Sequence, residues 1–402
     1  MGARGYLGGM NGERILQERE IRHIRERLAA FYEANRRDLP WRAEADPWAT
    51  LVSEVMSQQT RIETVIPYYR AWMERFPTPA ALAAASEEEV LALWKGLGYY
   101  SRARRLHQTA RELVTHHGGR VPRDPEALRA LPGIGAYTAG AVASIAHGVP
   151  VPAVDGNVRR VLARLLDLPA PSPALLAREA GALVDPADPG RFNQALMELG
   201  SLVCTPRSPA CTRCPIAAPC RARAEGTQEA RPRPIRRAPV PVREEGVAVL
   251  LHLPPDDPPR LLLRRRPDEG LLARMWEFPG EPCGEGESPA AAAHRALAGA
   301  LRASGATLIE PASPRALPGV DHLFSHLRIE YRPHLWQVEP GGERAGSRWR
   351  WVGLEALELL PLPVAQQRIA NHLEAALPEC NLEAQSGFSS GARRGSPSAP
   401  DP

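Results

Sequence analysis

Lysine is almost missing from this 402-residue chain: of fifty basic residues only Lys95 is a lysine, and the rest are arginines. Amine nucleophiles for Schiff-base chemistry are therefore confined to Lys95 and the N-terminus. A large excess of charge is missing too. A formal net charge of +4 excludes a histone-like polycation, so any affinity for nucleic acid has to come from local basic surface. No apolar h-region follows Met1, and no charge-free run is long enough to span a bilayer. That predicts a soluble, cytoplasmic protein without a membrane partner. A disulfide scaffold is excluded by how the six cysteines are distributed, since four of them crowd into residues 204–220.

An apolar content of 44% suffices for packed cores, and the length predicts two or more domains. The stretch that organises the chain is Leu131–Gly140, which reads Leu-Pro-Gly-Ile-Gly-Ala-Tyr-Thr-Ala-Gly. Pro132, Gly133 and Gly135 predict a tight turn between a short helix capped by Asp124 and an apolar helix from Ala136 to Ala146. Such a helix-hairpin-helix exposes backbone N–H groups at a helix N-terminus, a seat for one phosphate without base preference. The alternative is an ordinary αα-turn. Asp155, just past the second helix in Val154-Asp-Gly-Asn157, favours the first reading.

Upstream, Ile21, Ile24, Leu28, Phe31 and Tyr32 mark an amphipathic helix over Ile15–Asn35. A second helix follows Asp46-Pro47, with Leu51, Val52, Val55 and Met56 as its apolar stripe and Glu54 off the stripe's centre. Helices are predicted over Glu63–Phe76 and, capped by Ser86, over Glu87–Trp94. Gly96-Leu-Gly-Tyr-Tyr100 then breaks the helix and sets two aromatics beside Arg102, Arg104 and Arg105, a pattern that can stack on bases while cations meet phosphates. Past the hairpin, Asn157–Leu166, Pro173–Val184 and Phe192–Leu202 read as helices.

Cys204, Cys211, Cys214 and Cys220 are close enough in sequence to ligate one metal centre, either a [4Fe–4S] cluster or tetrahedral zinc. Residues 221–245 carry four prolines and seven arginines, which reads as a basic linker. Beyond it Val247–Leu253, Arg260–Arg265 and His322–Arg332 look like strands and Pro289–Ala303 like a helix, so an α/β domain follows an all-α one. The Gly-, Ser- and Pro-rich tail reads as disordered.

Taken together these motifs resemble the MutY family of adenine DNA glycosylases, over most of residues 15 to 376. The resemblance rests on Leu39-Pro-Trp-Arg42, Ser53-Glu-Val-Met56, Gln58-Gln-Thr60, Gly96-Leu-Gly-Tyr-Tyr100, the hairpin, Val154-Asp-Gly-Asn157, the four cysteines and Phe324-Ser-His326. It implies a multidomain chain: a helix-hairpin-helix glycosylase region over 14–225, a linker over 226–245 and a Nudix-like domain over 246–376. Within the first region it implies a six-helix lobe at 37–147 and an iron-sulfur lobe made of 14–36 with 148–225. Residues 1–13 and 377–402 are expected to be disordered.

The activity implied is hydrolysis of adenine from DNA pairs with 8-oxoguanine or guanine, by a nucleoid-associated cytoplasmic monomer carrying one [4Fe–4S] cluster on Cys204, Cys211, Cys214 and Cys220. Position by position, Glu54 matches the catalytic acid, Asp155 the second carboxylate, and Tyr137 and Asn157 residues that support the sugar. Gln59, Thr60, Leu97 and Tyr99 fall at the lesion, with Gly133 and Gly135 in the DNA-gripping hairpin. Trp41, Arg42 and Gln194 line the base pocket, and the Phe324, Ser325 and His326 loop reads 8-oxoguanine. Protonation of N7 makes adenine a near-neutral leaving group, and a carboxylate can stabilise or trap the oxocarbenium-like sugar. Glu54 is thus expected to have a raised pKa and Asp155 to stay ionised. Ser57 departs from the family, which has leucine at this position facing the base pocket. Tyr137 stands where strand-cutting relatives have a lysine, which predicts a monofunctional enzyme. The helix after Trp276-Glu-Phe-Pro-Gly280 has no carboxylate for Mg²⁺, so the C-terminal domain is expected to bind and not hydrolyse.

Overall fold

The computed structural model describes residues 15–43, 46–234, 238–309, 314–341 and 348–389. The expected disordered N-terminus lies outside these residues. The chain divides into two compact units. One runs to Leu93 and resumes at Tyr99; the other comprises Trp94–Gly98 and the chain from Ala238 onward. Among the described residues no helix is long and apolar enough to cross a membrane.

Among the described residues, the regular elements of the first unit are all helices. Its elements include Glu18–Asn35, Pro47–Ser57, Ile62–Arg75, Ser101–His116, Pro125–Ala130, Ala136–Ile145, Gly156–Leu165, Pro173–Leu183 and Pro189–Leu202. Caps set most starts: Asp46, Asp124, Asp155, Ser172 and Asp188 each accept a backbone N–H three residues on. The Glu18–Asn35 helix buries Ile21, Ile24, Leu28 and Tyr32 in one core with Val158, Leu162, Leu183, Phe192 and Leu199. The start of the chain therefore packs against helices more than a hundred residues away.

The second unit is an α/β sandwich. Val242–His252 runs parallel to Arg328–Glu339, in register from Val242 opposite Arg328 to Leu251 opposite Gln337. Val247, Val249 and Leu251 face the C-terminal helix with Ile369 and Leu373. Ala248 and Leu250 face Ala293, Leu297 and Ala300 of the Pro289–Ser304 helix. Cover on both faces explains why this strand reads as an unbroken apolar run.

Three sequence expectations are corrected. The linker is shorter than 226–245: Arg231 pairs with Asp167, the Arg233 N–H donates to the Pro169 carbonyl, and the first strand starts at Val242. Its charged beginning, Arg243-Glu-Glu245, disguised the strand. The stretch His322–Arg332 is two strands, Val320–Leu323 and Arg328–Glu339, paired antiparallel around a turn. The tail is not irregular from residue 377, because the last helix runs from Val364 to Ser389. Gly387 is its only glycine and proline enters only at Pro378, so the helix breakers are concentrated beyond it.

Candidate active site

Glu54 sits on the Pro47–Ser57 helix, whose inner stripe Leu51, Val52, Val55 and Met56 is buried. Arg102 fixes the end of that helix. Its guanidinium donates to the carbonyls of Val55 (3.0 Å), Met56 (2.7 Å) and Gln58 (2.6 Å) and to Thr60 Oγ1 (3.1 Å). These are carbonyls a helix C-terminus leaves unpaired, and a cation there also meets the negative end of the dipole. Arg102 was expected to meet phosphates; it is buried and tied to these carbonyls instead. The turn it supports puts Gln59 at φ 57° and leaves it exposed.

Tyr137 lies in the first turn of the Ala136–Ile145 helix and donates its hydroxyl to Glu54 Oε2 at 2.5 Å. Gly140 lets this helix approach the next segment, since a Cβ there would lie 2.2 Å from the Pro152 carbonyl oxygen. That approach carries Asp155 toward the same cleft. Asp155 caps the Gly156–Leu165 helix, accepting from the Val158 N–H at 2.7 Å and from Asn157 Nδ2 at 2.9 Å. Arg160 continues the chain of contacts, donating to Asn157 Oδ1 (2.9 Å) and to the carbonyls of Gly200 and Cys204 (both 2.8 Å).

Two cavities meet at Glu54. One, about 850 Å³, is lined by Trp41, Arg42, Gln194 and Met197; the other, about 910 Å³, by Gln59, Tyr137, Asp155 and Asn157. Glu54 and Asp155 thus share a cavity. Ser57 borders the second cavity, with Asp155, and not the one that holds Trp41. Glu54 is only half-buried by surface area because it faces this space, yet protein encloses it closely. Burial pushes its pKa up to about 7, with Asp155 adding to the rise and the Tyr137 hydrogen bond and Arg42 opposing it. Asp155 is also raised, by burial, while the bonds from Val158 and Asn157 pull it back. The Tyr137 phenol is held well above its ordinary value by burial and by both carboxylates, so it remains a donor.

Two contacts were not foreseen. Glu198 is buried in the Pro189–Leu202 helix and paired with Arg37 (2.8 Å) and Arg42 (2.7 Å). Burial opposes its ionisation, but the hydrogen bonds from the two arginines win and hold its pKa low. A glutamate between Met197 and Leu199 was the available signal. Tyr32, which reads as core, donates its hydroxyl to Gln194 Oε1 at 2.9 Å and leaves the Gln194 amide N–H₂ for other partners.

Other expected site residues stand as follows. Gly133 takes φ 76° in the hairpin, where a Cβ would lie 2.7 Å from Arg105 Cδ, and Gly135 caps the following helix. Leu97 and Tyr100 are buried and Tyr99 is exposed, with Arg102 stacked 5.3 Å from its ring centre. In the second unit Phe324 packs edge-on against His322, Ser325 and His326 are exposed at the turn, and Ser325 Oγ lies 3.3 Å from His326 Nδ1.

Cys204, Cys211, Cys214 and Cys220 line one small pocket together with Arg164. Arg164 donates to Cys204 Sγ at 3.3 Å and to the carbonyls of Cys204, Thr205 and Pro206. Among the described residues no three His, Cys, Asp or Glu side chains are grouped closely enough to hold a single metal ion.

Comparison with known proteins places these features. Residues 52–186 match the HhH-GPD superfamily of base excision DNA repair proteins, and residues 249–372 match the NUDIX domain. The chain is 38% identical to the adenine DNA glycosylase of Homo sapiens, over 87% of this chain and 74% of that one. It is 36% identical to that of Schizosaccharomyces pombe, over 77% of this chain and 80% of that one. A solved thermostable thymine-DNA glycosylase is 28% identical, covering 52% of this chain and 98% of its own, with a TM-score of 0.49. With likeness to the human and yeast enzymes running through both units, the chain belongs to the adenine DNA glycosylase family.

Proposed function

We propose that the protein removes adenine from duplex DNA, with adenine opposite 8-oxoguanine or guanine as its target, and leaves an uncut abasic site. The observation that carries this reading is the shared cavity of Glu54 and Asp155, with Glu54 held near pKa 7. Near neutral pH such an acid is protonated in about half of the molecules, so a proton is at hand for adenine N7. Tyr137 occupies Oε2, which leaves Oε1 as the oxygen that presents this proton. Asp155 is oriented by two donors and supplies negative charge where the sugar becomes cationic.

The extruded base fits the cavity with Trp41, Arg42 and Gln194, where Glu198 anchors Arg42 and Tyr32 orients Gln194. Extrusion costs roughly a few kcal/mol, least at a mispair. Gln59, Thr60 and Tyr99 would face the opened duplex, the hairpin at Gly133 and Gly135 would hold one phosphate, and Ser325 would hydrogen-bond the opposite base. Lys95 donates to the carbonyls of Leu357 and Glu358. Tyr137 stands where strand-cutting relatives have a lysine, which supports hydrolysis without Schiff-base strand cleavage.

The test is the pH dependence of single-turnover base release. Glu54 has to be protonated and its pKa is raised, so the rate falls as pH climbs through about 7. Tyr137→Phe removes a hydrogen bond that favours the Glu54 anion, so it moves this alkaline limb to higher pH. A limb that stays in place or moves down would contradict the assignment.

For the cysteine loop we propose one [4Fe–4S] cluster held by Cys204, Cys211, Cys214 and Cys220. The donor set fits: four cysteines line one pocket and a guanidinium donates to one of their sulfurs, and the choice of a cluster over zinc rests on the family resemblance. When bound, the cluster would cross-link the four cysteines of the loop, while Arg164 holds the loop to the Gly156–Leu165 helix through the carbonyls of Cys204, Thr205 and Pro206. Purified protein is expected to be brown, with iron and sulfide near four per chain; stoichiometric zinc in its place would refute this.

A further inference from the structure

The α/β unit holds a cavity of about 440 Å³ that the glycosylase reading does not use. Its walls bring together Arg243, Arg264, Arg265, Arg266 and Arg348 with Glu245, Glu277 and Glu281, which leaves a formal excess of two positive charges. The carboxylates are already engaged. Glu277 is buried and taken by Arg264 at 2.9 Å and by Arg266, Glu281 lies 3.4 Å from Arg264, and Glu245 lies 3.3 Å from Arg243. Not all of the guanidinium donors are. Arg243 Nε is buried without a hydrogen-bond partner, a state that is costly unless something accepts from it. Arg265 spends Nε on the Arg274 carbonyl, which leaves its terminal nitrogens for other partners.

The three carboxylates of the cavity are engaged by arginines and the neighbouring helix, Pro289–Ser304, adds none, so this space is not built around a divalent cation. Planar guanidinium forks facing a cavity match the oxygens of a tetrahedral oxyanion. We infer that this cavity binds a phosphate-type oxyanion, without metal, through Arg243, Arg265 and Arg348. The phosphate can come from a free phosphate compound or from a DNA backbone.

The test uses the full-length protein in EDTA, titrated calorimetrically with pyrophosphate and separately with a plain duplex over a range of salt. Arg243→Gln and Arg348→Gln are compared, with thermal melting to check that each folds; Arg264 and Arg266 are left alone because they hold buried Glu277. Binding of one pyrophosphate per chain, weakened at least ~10-fold in both variants, supports the site. If duplex affinity is then unchanged, the source is a free phosphate compound. If duplex affinity also drops and its slope against log salt falls by about one, the source is a backbone phosphate, and that slope change supports the site even when free pyrophosphate does not bind. Pyrophosphate bound equally by wild type and both folded variants, or no pyrophosphate binding with duplex affinity unchanged, overturns it.

Discussion

Glu54→Gln is expected to slow adenine release by ~10²–10⁴ in single turnover while leaving affinity for the mispaired duplex within a few-fold of wild type. The amide fits the space and its oxygen can still accept from Tyr137, so the packing around it persists. What disappears is the proton for N7. The alkaline limb of the pH profile disappears with it. The same substitution also changes stability in a direction that can be worked out. Glu54 has a folded-state pKa raised from 4.5 to about 7, so the folded protein binds its proton more tightly than the unfolded chain does. The stability this contributes is complete below about pH 4.5 and is lost as pH rises through 7. Glutamine carries no charge to bury, so the variant should be more stable than wild type at pH 8, by on the order of 3 kcal/mol, and little different at pH 4. A variant that releases adenine within tenfold of the wild-type rate would remove Glu54 from the chemistry.

Asp155→Asn is expected to cost ~10²–10³ in the rate of base release with almost no loss of fold. Asparagine is as good an N-cap as aspartate, so the Gly156–Leu165 helix keeps the bond from the Val158 N–H. The charge is removed, and with it the second oxygen that accepts from Asn157 Nδ2. Asp155→Ala removes cap and charge together and should lower stability by a further ~0.5–2 kcal/mol. Comparing the two separates Asp155 as a helix cap from Asp155 as the partner of the cationic sugar. If asparagine supports near wild-type release, the carboxylate acts only as a cap.

How far the sequence revealed this site depends on the kind of interaction. The Pro47–Ser57 helix was legible because Asp46 and Pro47 announce its start and Leu51, Val52, Val55 and Met56 its inner face. The hairpin was legible because Gly133 takes a left-handed conformation, in the order a tight turn demands. Long-range polar pairing was not. Arg102 looks like any arginine at the start of a helix, and only the fold shows its five-donor head closing the helix that carries Glu54. The Glu198 pairing joins residues more than 150 positions apart, and Tyr32 sits in an apolar stripe that explains it without Gln194. The start of the first strand was hidden for a related reason. Arg243, Glu244 and Glu245 break the apolar pattern, yet they pair in register with Ile329, Glu330 and Tyr331. The roles proposed for Gln59, Leu97 and Ser325 rest on resemblance, because no local pattern in the chain assigns them.

The most direct test is single-turnover base release by the wild-type protein from two duplexes that differ in one base, adenine opposite 8-oxoguanine and adenine opposite thymine. The account predicts free adenine from the first and none from the second, with the product strand intact until alkali cleaves the abasic site. No adenine from the 8-oxoguanine duplex, with the protein folded and bound to it, would contradict the account.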